Sequence, residues 1–270
     1  MSQIENGFDA YLRRWSLIPD GAPILTHSSR LLPVRRGGEA LMLKLSHAEE
    51  ERFGGLLLEW WGGEGAVRVV DHHDDALLME RATGPISLAD MARRGEDDAA
   101  SRILCAVAAR LHAPRATLPP ALIPLETWFR SLFAAAPGQG GLLAEAAATA
   151  RSLLAEPREV GVLHGDLHHE NVLDAGSRGF LAIDPKRLRG ERGFDFANIF
   201  CNPDAAVALA PGRLARQASL IAAEAGLERR RLLQWILAYS GLSAAWHDED
   251  GSDPKLALAV VERARAELRN

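Results

Sequence analysis

The segment His164-Gly165-Asp166-Leu167-His168-His169-Glu170-Asn171 sets a carboxylate and an amide five residues apart. A second carboxylate, Asp184, follows thirteen residues after Asn171 in Ile183-Asp184-Pro185. A carboxylate placed in this way can take the proton of an attacking hydroxyl. An amide oxygen and a second carboxylate can hold Mg²⁺, which fills its other positions with water and phosphate oxygens. Those are the protein groups that phosphoryl transfer needs, because the reaction depends on positioning and charge neutralisation more than on covalent chemistry. Asp166 is therefore expected as the base, and Asn171 and Asp184 as Mg²⁺ ligands. Each acid alone could be a turn cap or a surface ion pair; the three in register favour the site. Taken alone, His164-x-Asp166-x-His168-His169 also suits a metal-dependent hydrolase. That alternative lacks a matching Gly-Asn-His segment, places His72-His73-Asp74-Asp75 in a turn, and leaves Lys44, Asn171 and Asp184 without a role. A nucleotide-binding module without activity is a further alternative, and the complete set of polar groups argues against it.

Local structure has to bring these groups together. Residues 171–174 and 179–184 are short β-type runs joined by the turn-forming Ala175-Gly176-Ser177-Arg178. The outer ends of a hairpin meet, which predicts Asn171 and Asp184 at one ion, with Asp166 in the loop just before. Upstream, β-type runs at 40–45, 67–70 and 76–79, with Gly37-Gly38 and Asp74-Asp75 at turns, predict a small sheet. Phe53, Leu57, Trp60 and Trp61 at helical spacing predict a helix over 49–61. Lys44 is a lone lysine in an apolar strand, and a buried amine there needs a carboxylate and, in this chemistry, a phosphate. Glu49, Glu50 and Glu51 begin the following helix, where acids also suit the helix dipole. One of them, with Glu51 preferred, is expected to hold Lys44. Thr26-His27-Ser28-Ser29 has no glycine-rich signature, yet Ser28 and Ser29 could close over phosphates; a plain turn is the alternative. Thr83-Gly84-Pro85 breaks the last strand and divides an expected nucleotide-binding sheet part, 1–82, from a helical catalytic part, 83–270. Apolar helical stripes in the latter run through 103–111, 142–154, 214–225 and 231–246.

Composition sets outer limits. A chain of 270 residues can build two lobes around a substantial core, and 47% hydrophobic with 25% charged residues excludes the disordered and membrane classes. No apolar run reaches eighteen residues, and residues 1–20 mix acids, bases and Trp15, so a cytoplasmic protein without a membrane span is expected. A formal net charge of -5 predicts no nucleic-acid partner and favours cationic over anionic small molecules. Cys105 and Cys201 are expected as buried reduced thiols.

The pattern His-Gly-Asp-x-x-x-x-Asn with a downstream Ile-Asp resembles the aminoglycoside phosphotransferase family of the protein-kinase-like fold, in which Gly replaces the Arg of the protein-kinase loop. Within that family, Thr26-His27-Ser28-Ser29, residues 77–82, 111–115 and 164–174, Ala182-Ile183-Asp184-Pro185, Gly190-Glu191-Arg192 with Phe194-Asp195, and Ser243-Ala244-Ala245-Trp246 are similar to the streptomycin 6-kinases and hydroxyurea phosphotransferases. The likeness covers nearly the whole chain. It implies an α+β, two-lobed fold, ATP and Mg²⁺, and a cationic aminoglycoside acceptor, streptomycin at its 6-hydroxyl. Hydroxyurea, choline, homoserine or another small metabolite is the alternative acceptor. The resemblance also implies that Lys44 contacts the α- and β-phosphates, that the backbone of Glu80 and Ala82 meets the adenine edge with Met79 behind it, and that Asp195 braces the Asp166 loop. His164 is expected as a buried scaffold residue. Streptomycin carries two guanidinium groups, which call for carboxylates. Glu191, Asp204, Glu224 and the Asp248-Glu249-Asp250 cluster are the candidates, with Trp246 as an aromatic wall.

Overall fold

The computed structural model describes residues 7–26, 29–46, 49–139 and 141–269, and the side chains of 49–53, 138 and 139 fall outside that description. The first part runs α1 (Asp9–Arg14), β1 (Ile18–Pro19), β2 (Ile24–Leu25), β3 (Ser29–Arg36), β4 (Glu39–Ser46), α2 (Glu49–Trp61), β5 (Val69–His73) and β6 (Ala76–Glu80). Its strands pair antiparallel in the order β1-β3-β4-β6-β5, with β2 on β3. Successive side chains of a strand point to opposite faces. In β4 this sends Leu41, Leu43 and Leu45 into an outer core with Phe8, Trp15, Val34 and Leu78. Lys44 is turned to the other face, where it lines a cavity with Leu31, Leu77 and Met79. β1, β2 and the long β3 are strands that sequence reasoning did not anticipate, and β3 has a local reason. Pro33 cannot donate to a ladder, which argues against a central strand. Here its carbonyl accepts the Asp20 N–H at 2.8 Å, and its neighbours keep the register with β4.

The second part comprises α3 (Leu88–Arg93), α4 (Asp97–His112), β7 (Ile123–Pro124), α5 (Leu125–Trp128), α6 (Arg130–Gln139), α7 (Gly141–Ala155), β8 (Val160–Leu163), β9 (Val172–Asp174), β10 (Phe180–Ala182), β11 (Leu188–Glu191), a 3₁₀ segment (Arg192–Cys201), α8 (Ala205–Ala208), α9 (Arg213–Ala225), α10 (Arg229–Glu249) and α11 (Lys255–Arg269). The four expected apolar stripes lie in α4, α7, α9 and α10. α10 buries residues on every side, from Leu232 and Trp235 to Leu242 and Ala245, as a helix at the centre of a bundle must. The main core continues from Leu57, Trp61, Leu77 and Met79 into Leu104, Leu111, Leu163 and Leu188, so packing is unbroken where sheet gives way to helices. Trp61 fastens that junction with an Nε1–H bond to the Leu111 carbonyl at 3.2 Å. Among the described residues no helix is long and apolar enough to cross a membrane. Both cysteines are free thiols, and burial pushes them up to about 12 for Cys105 and about 11 for Cys201.

One buried ion pair ties helices beneath the site. Asp97, at the start of α4, accepts from Arg213 Nε (2.8 Å) and Nη2 (3.0 Å) and from Gln217 Nε2 (2.7 Å), with His169 Nε2 at 3.9 Å. Burial works to raise the Asp97 pKa, but the proximity of His169 and the hydrogen bonds and charge of Arg213 outweigh it and hold the carboxyl well below the usual range. A carboxyl depressed in the folded state contributes stability above its unfolded pKa, and that contribution is lost as pH falls through the folded value. Arg213→Met leaves Asp97 buried without its cation and is expected to cost about 3–5 kcal/mol at pH 7. The deficit should narrow below about pH 4, where protonated Asp97 no longer needs a partner. Urea unfolding at pH 7 and pH 3.5 checks this, and an unchanged deficit would mean that the pair is not what the variant disturbs.

Candidate active site

Two loops leave the same end of one strand pair. Leu163 at the end of β8 faces Leu188 at the start of β11, so residues 164–171 and 184–187 emerge side by side. The Lys186 N–H closes them with a 2.7 Å bond to the His164 carbonyl. The β9–β10 hairpin forms as its turn residues predict, with Leu173 opposite Leu181 and Val172 opposite Ala182. One step beyond, the Ile183 N–H donates to the Asn171 carbonyl at 2.9 Å. Asn171 and Asp184 therefore line one cavity of about 300 Å³ together with Lys44, Thr26, Ser29, Met79 and Lys186.

Asp166 is held at both carboxylate oxygens. Oδ1 accepts from Asn198 Nδ2 at 2.7 Å and Oδ2 from Asn171 Nδ2 at 3.1 Å. Asn171 Nδ2 also donates to the Asp166 carbonyl at 2.8 Å, which orients the amide and reserves its oxygen, a hard donor suited to Mg²⁺. Asp184 lies between two ammonium groups, Lys44 Nζ at 2.5 Å from Oδ1 and Lys186 Nζ at 3.5 Å from Oδ2. The Glu51 side chain, expected on Lys44, lies outside the described residues, as does Ser28. The other turn residues close on themselves: Thr26 Oγ1 donates to the Ser29 carbonyl and accepts the Ser29 N–H, both at 3.0 Å. The Glu80 N–H is taken by the Arg68 carbonyl at 2.9 Å, so of that peptide edge only the carbonyl can serve an adenine. Ala82 does not line the cavity of Asp184 but another, of about 520 Å³, with Gly84, His169 and Asp174.

A buried scaffold carries the loop. Asp195, 1% exposed, accepts the Gly165 N–H (2.7 Å), the His164 N–H (2.9 Å) and His112 Nε2 (2.7 Å). Burial acts to raise its pKa; the His112 bond and the Gly165 N–H overcome it and keep the carboxylate ionised. His164 stacks on Trp61 with ring centroids 6.2 Å apart, and its Nε2 bonds the Ile183 carbonyl at 2.8 Å. Burial is the main cause that lowers the pKa of His164 and of His168, so both are neutral at pH 7. Among the described residues no group of three or more His, Cys, Asp and Glu side chains is arranged to hold a metal, so these histidines do not form the ligand cluster of a hydrolase. Gly165 is required twice: its φ is +84°, and a Cβ there would meet Leu188 Cδ1 at 2.8 Å and Lys186 Cβ at 3.0 Å. On the far side, a Cβ at Gly54 of α2 would meet the Pro185 carbonyl at 2.8 Å, so two glycines let both neighbours approach the Asp184 loop.

A family model described as aminoglycoside/hydroxyurea antibiotic resistance kinase matches residues 14–251. The chain belongs to this kinase family. A streptomycin 3''-kinase of Klebsiella pneumoniae is 53% identical over 92% of the chain and 95% of that protein. A streptomycin 6-kinase of Streptomyces griseus is 34% identical over 88% of the chain and 81% of that protein. Among solved structures, the aminoglycoside phosphotransferase APH(3'')-Id from Streptomyces rimosus superposes with a TM-score of 0.63 at 19% identity, covering 90% of this chain and 99% of that one. The α+β, two-lobed architecture is thus the protein-kinase-like fold that the sequence led us to expect.

The structure gives three of the expected drug carboxylates partners of their own. Glu191, 4% exposed, has both oxygens engaged: Arg231 Nε (2.7 Å) and Trp235 Nε1 (2.8 Å) on Oε1, Arg231 Nη2 (2.6 Å) and the Arg158 N–H (2.9 Å) on Oε2. It is a structural anion with no oxygen left for a ligand. Asp204 caps α8 through the Val207 N–H and pairs with Arg93 at 2.8 Å. Glu224 pairs with Arg102 of α4 at 3.0 Å. None of the three lines the cavity of Asp184. Trp246 packs edge to face on Trp128 and Tyr239, at centroid distances of 5.5 and 6.4 Å, beside a cavity of about 470 Å³. Asp248 lies two residues on, at the exposed end of α10. Sequence reasoning gave no role to Asn198, His112 or Lys186. The first two have no local signature, since their partners are 32 and 83 residues away. Lys186 did have one: a cation two residues after the aspartate expected to hold Mg²⁺.

Proposed function

We propose that the chain is an ATP-dependent streptomycin O-phosphotransferase. The observation that carries this reading is Asp166 fixed between Asn198 and Asn171, with Asn171 lining the cavity that also holds Lys44 and Asp184. In this reading ATP lies in the cavity with its adenine near Met79 and the Glu80 carbonyl, and Ala82 meets the same edge. Lys44, with Glu51 as its expected partner, faces the α- and β-phosphates, and Ser28 and Ser29 close over them. Asn171 and Asp184 hold Mg²⁺, whose charge offsets that of the phosphates. Asp166 orients the acceptor hydroxyl and takes its proton, and catalysis is chiefly positioning. Trp246 and Asp248 are the candidates retained for the drug, as wall and anion. The cytoplasm, where ATP is supplied, is the matching location.

Identity of 53% to a 3''-kinase against 34% to a 6-kinase favours the 3''-hydroxyl as acceptor. The 6-hydroxyl, favoured by the motif resemblance, is the second reading. Incubation of the purified protein with streptomycin and γ-labelled ATP, followed by two-dimensional ¹H–³¹P NMR of the product, is expected to show one phosphate on the 3''-oxygen. A phosphate on the 6-oxygen would establish the second reading. Label transferred to hydroxyurea or choline and not to streptomycin would overturn both.

A further inference from the structure

We propose that Lys186 is the cation that contacts the γ-phosphate during transfer, a role distinct from that of Lys44. The proposal rests on the phosphotransferase reading above. Lys186 Nζ stands 3.8 Å from Asp166 Oδ2 and 3.5 Å from Asp184 Oδ2, so one ammonium spans the proton acceptor and the metal-binding carboxylate. The point between those two carboxylates is where the reacting groups must meet. The acceptor oxygen approaches from the Asp166 side and forms the new O–P bond. The bond from the γ-phosphorus to the β–γ bridging oxygen breaks, ADP leaves with that electron pair, and the hydroxyl proton passes to Asp166. Negative charge stays on the oxygens of the moving phosphoryl group throughout. Lys44 is bonded to the other oxygen of Asp184, on the β4 side, where the α- and β-phosphates are expected.

The backbone around Lys186 is built for this placement. Asp184 and Arg187 both have left-handed φ, +60° and +55°, rare for residues with a side chain and concentrated at functional sites. The Lys186 N–H is fixed on the His164 carbonyl, and Gly165 supplies the space its Cβ needs. Its side chain is 27% exposed and points into the cavity with Asn171 and Asp184.

The test separates γ-phosphate contact from general damage by titrating the full chain, with Mg²⁺ and without acceptor, with ADP and with the unreactive ATP analogue AMP-PNP. Lys186→Ala and Lys186→Gln are expected to weaken AMP-PNP about tenfold or more while ADP changes less than about twofold, the scale of one lost charged hydrogen bond. Turnover should fall by about 10²–10³-fold in both, and Lys186→Arg should recover most of the loss. An unchanged ratio of the two affinities in both neutral variants overturns the proposal, whether both nucleotides weaken together or neither does. Failure of the wild type to phosphorylate streptomycin would remove the reading of function, and the nucleotide ratio would still decide the role of Lys186.

Discussion

Asp166→Ala is expected to lower kcat for streptomycin phosphorylation by about 10³–10⁴-fold, the upper range for a lost general base. Its carboxylate is 26% exposed and held by the exchangeable amides of Asn198 and Asn171, so the melting temperature should move by no more than about 3 °C. Asp166→Asn keeps a group that Asn198 can bond but cannot accept the proton, and it should be nearly as slow. Rapid-quench turnover of both variants beside their melting curves provides the check. Near wild-type kcat in Asp166→Asn would remove proton transfer from the account and leave Asp166 as a positioning group alone.

Asp195→Ala should differ from this in kind. It removes the acceptor for two backbone N–H groups and His112 at once, and leaves them buried where water cannot replace the lost bonds. A deficit of about 3–5 kcal/mol follows, the range for a buried charge network broken on one side. Activity should fall too, because His164 and Gly165 carry the turn that aims Asp166. Urea unfolding shows the deficit directly, and wild-type stability with slow turnover would mean that Asp195 acts on substrate and not through the loop. Taken together, the two variants separate proton acceptance from loop support, which turnover alone would confuse.

Local patterns made much of this site legible before any coordinates. A turn of Ala175-Gly176-Ser177-Arg178 between two short apolar runs admits few conformations, so the hairpin that brings Asn171 to Asp184 followed from it. Period-two alternation turned Lys44 away from the leucines of β4 and into the cavity. Helical periodicity located α2, α4, α7, α9 and α10 for the same reason: an amphipathic face repeats at fixed spacing. β3 escaped because Pro33 opposes a strand locally, and only its neighbours on both sides overrule that preference.

The carboxylates were least legible. Glu191, Asp204 and Glu224 look alike as letters, but their charge partners decide what each can do, and those partners lie 40, 111 and 122 residues away. An acid whose lone pairs are filled by Arg231 and Trp235 holds the fold together; one left at a cavity edge can meet a ligand. Sequence alone determined the chemistry available here, because the types and spacing of Asp166, Asn171 and Asp184 are properties of one short stretch and its hairpin. Tertiary structure alone decided the electrostatics: Asp195 beneath the loop, Lys44 and Lys186 on either side of Asp184, and the arginines that pair with Glu191, Asp204 and Glu224. The reason is range, since a strand or turn is set by neighbours a few residues apart, whereas a charge is paired by whichever group the fold carries to within a few ångströms.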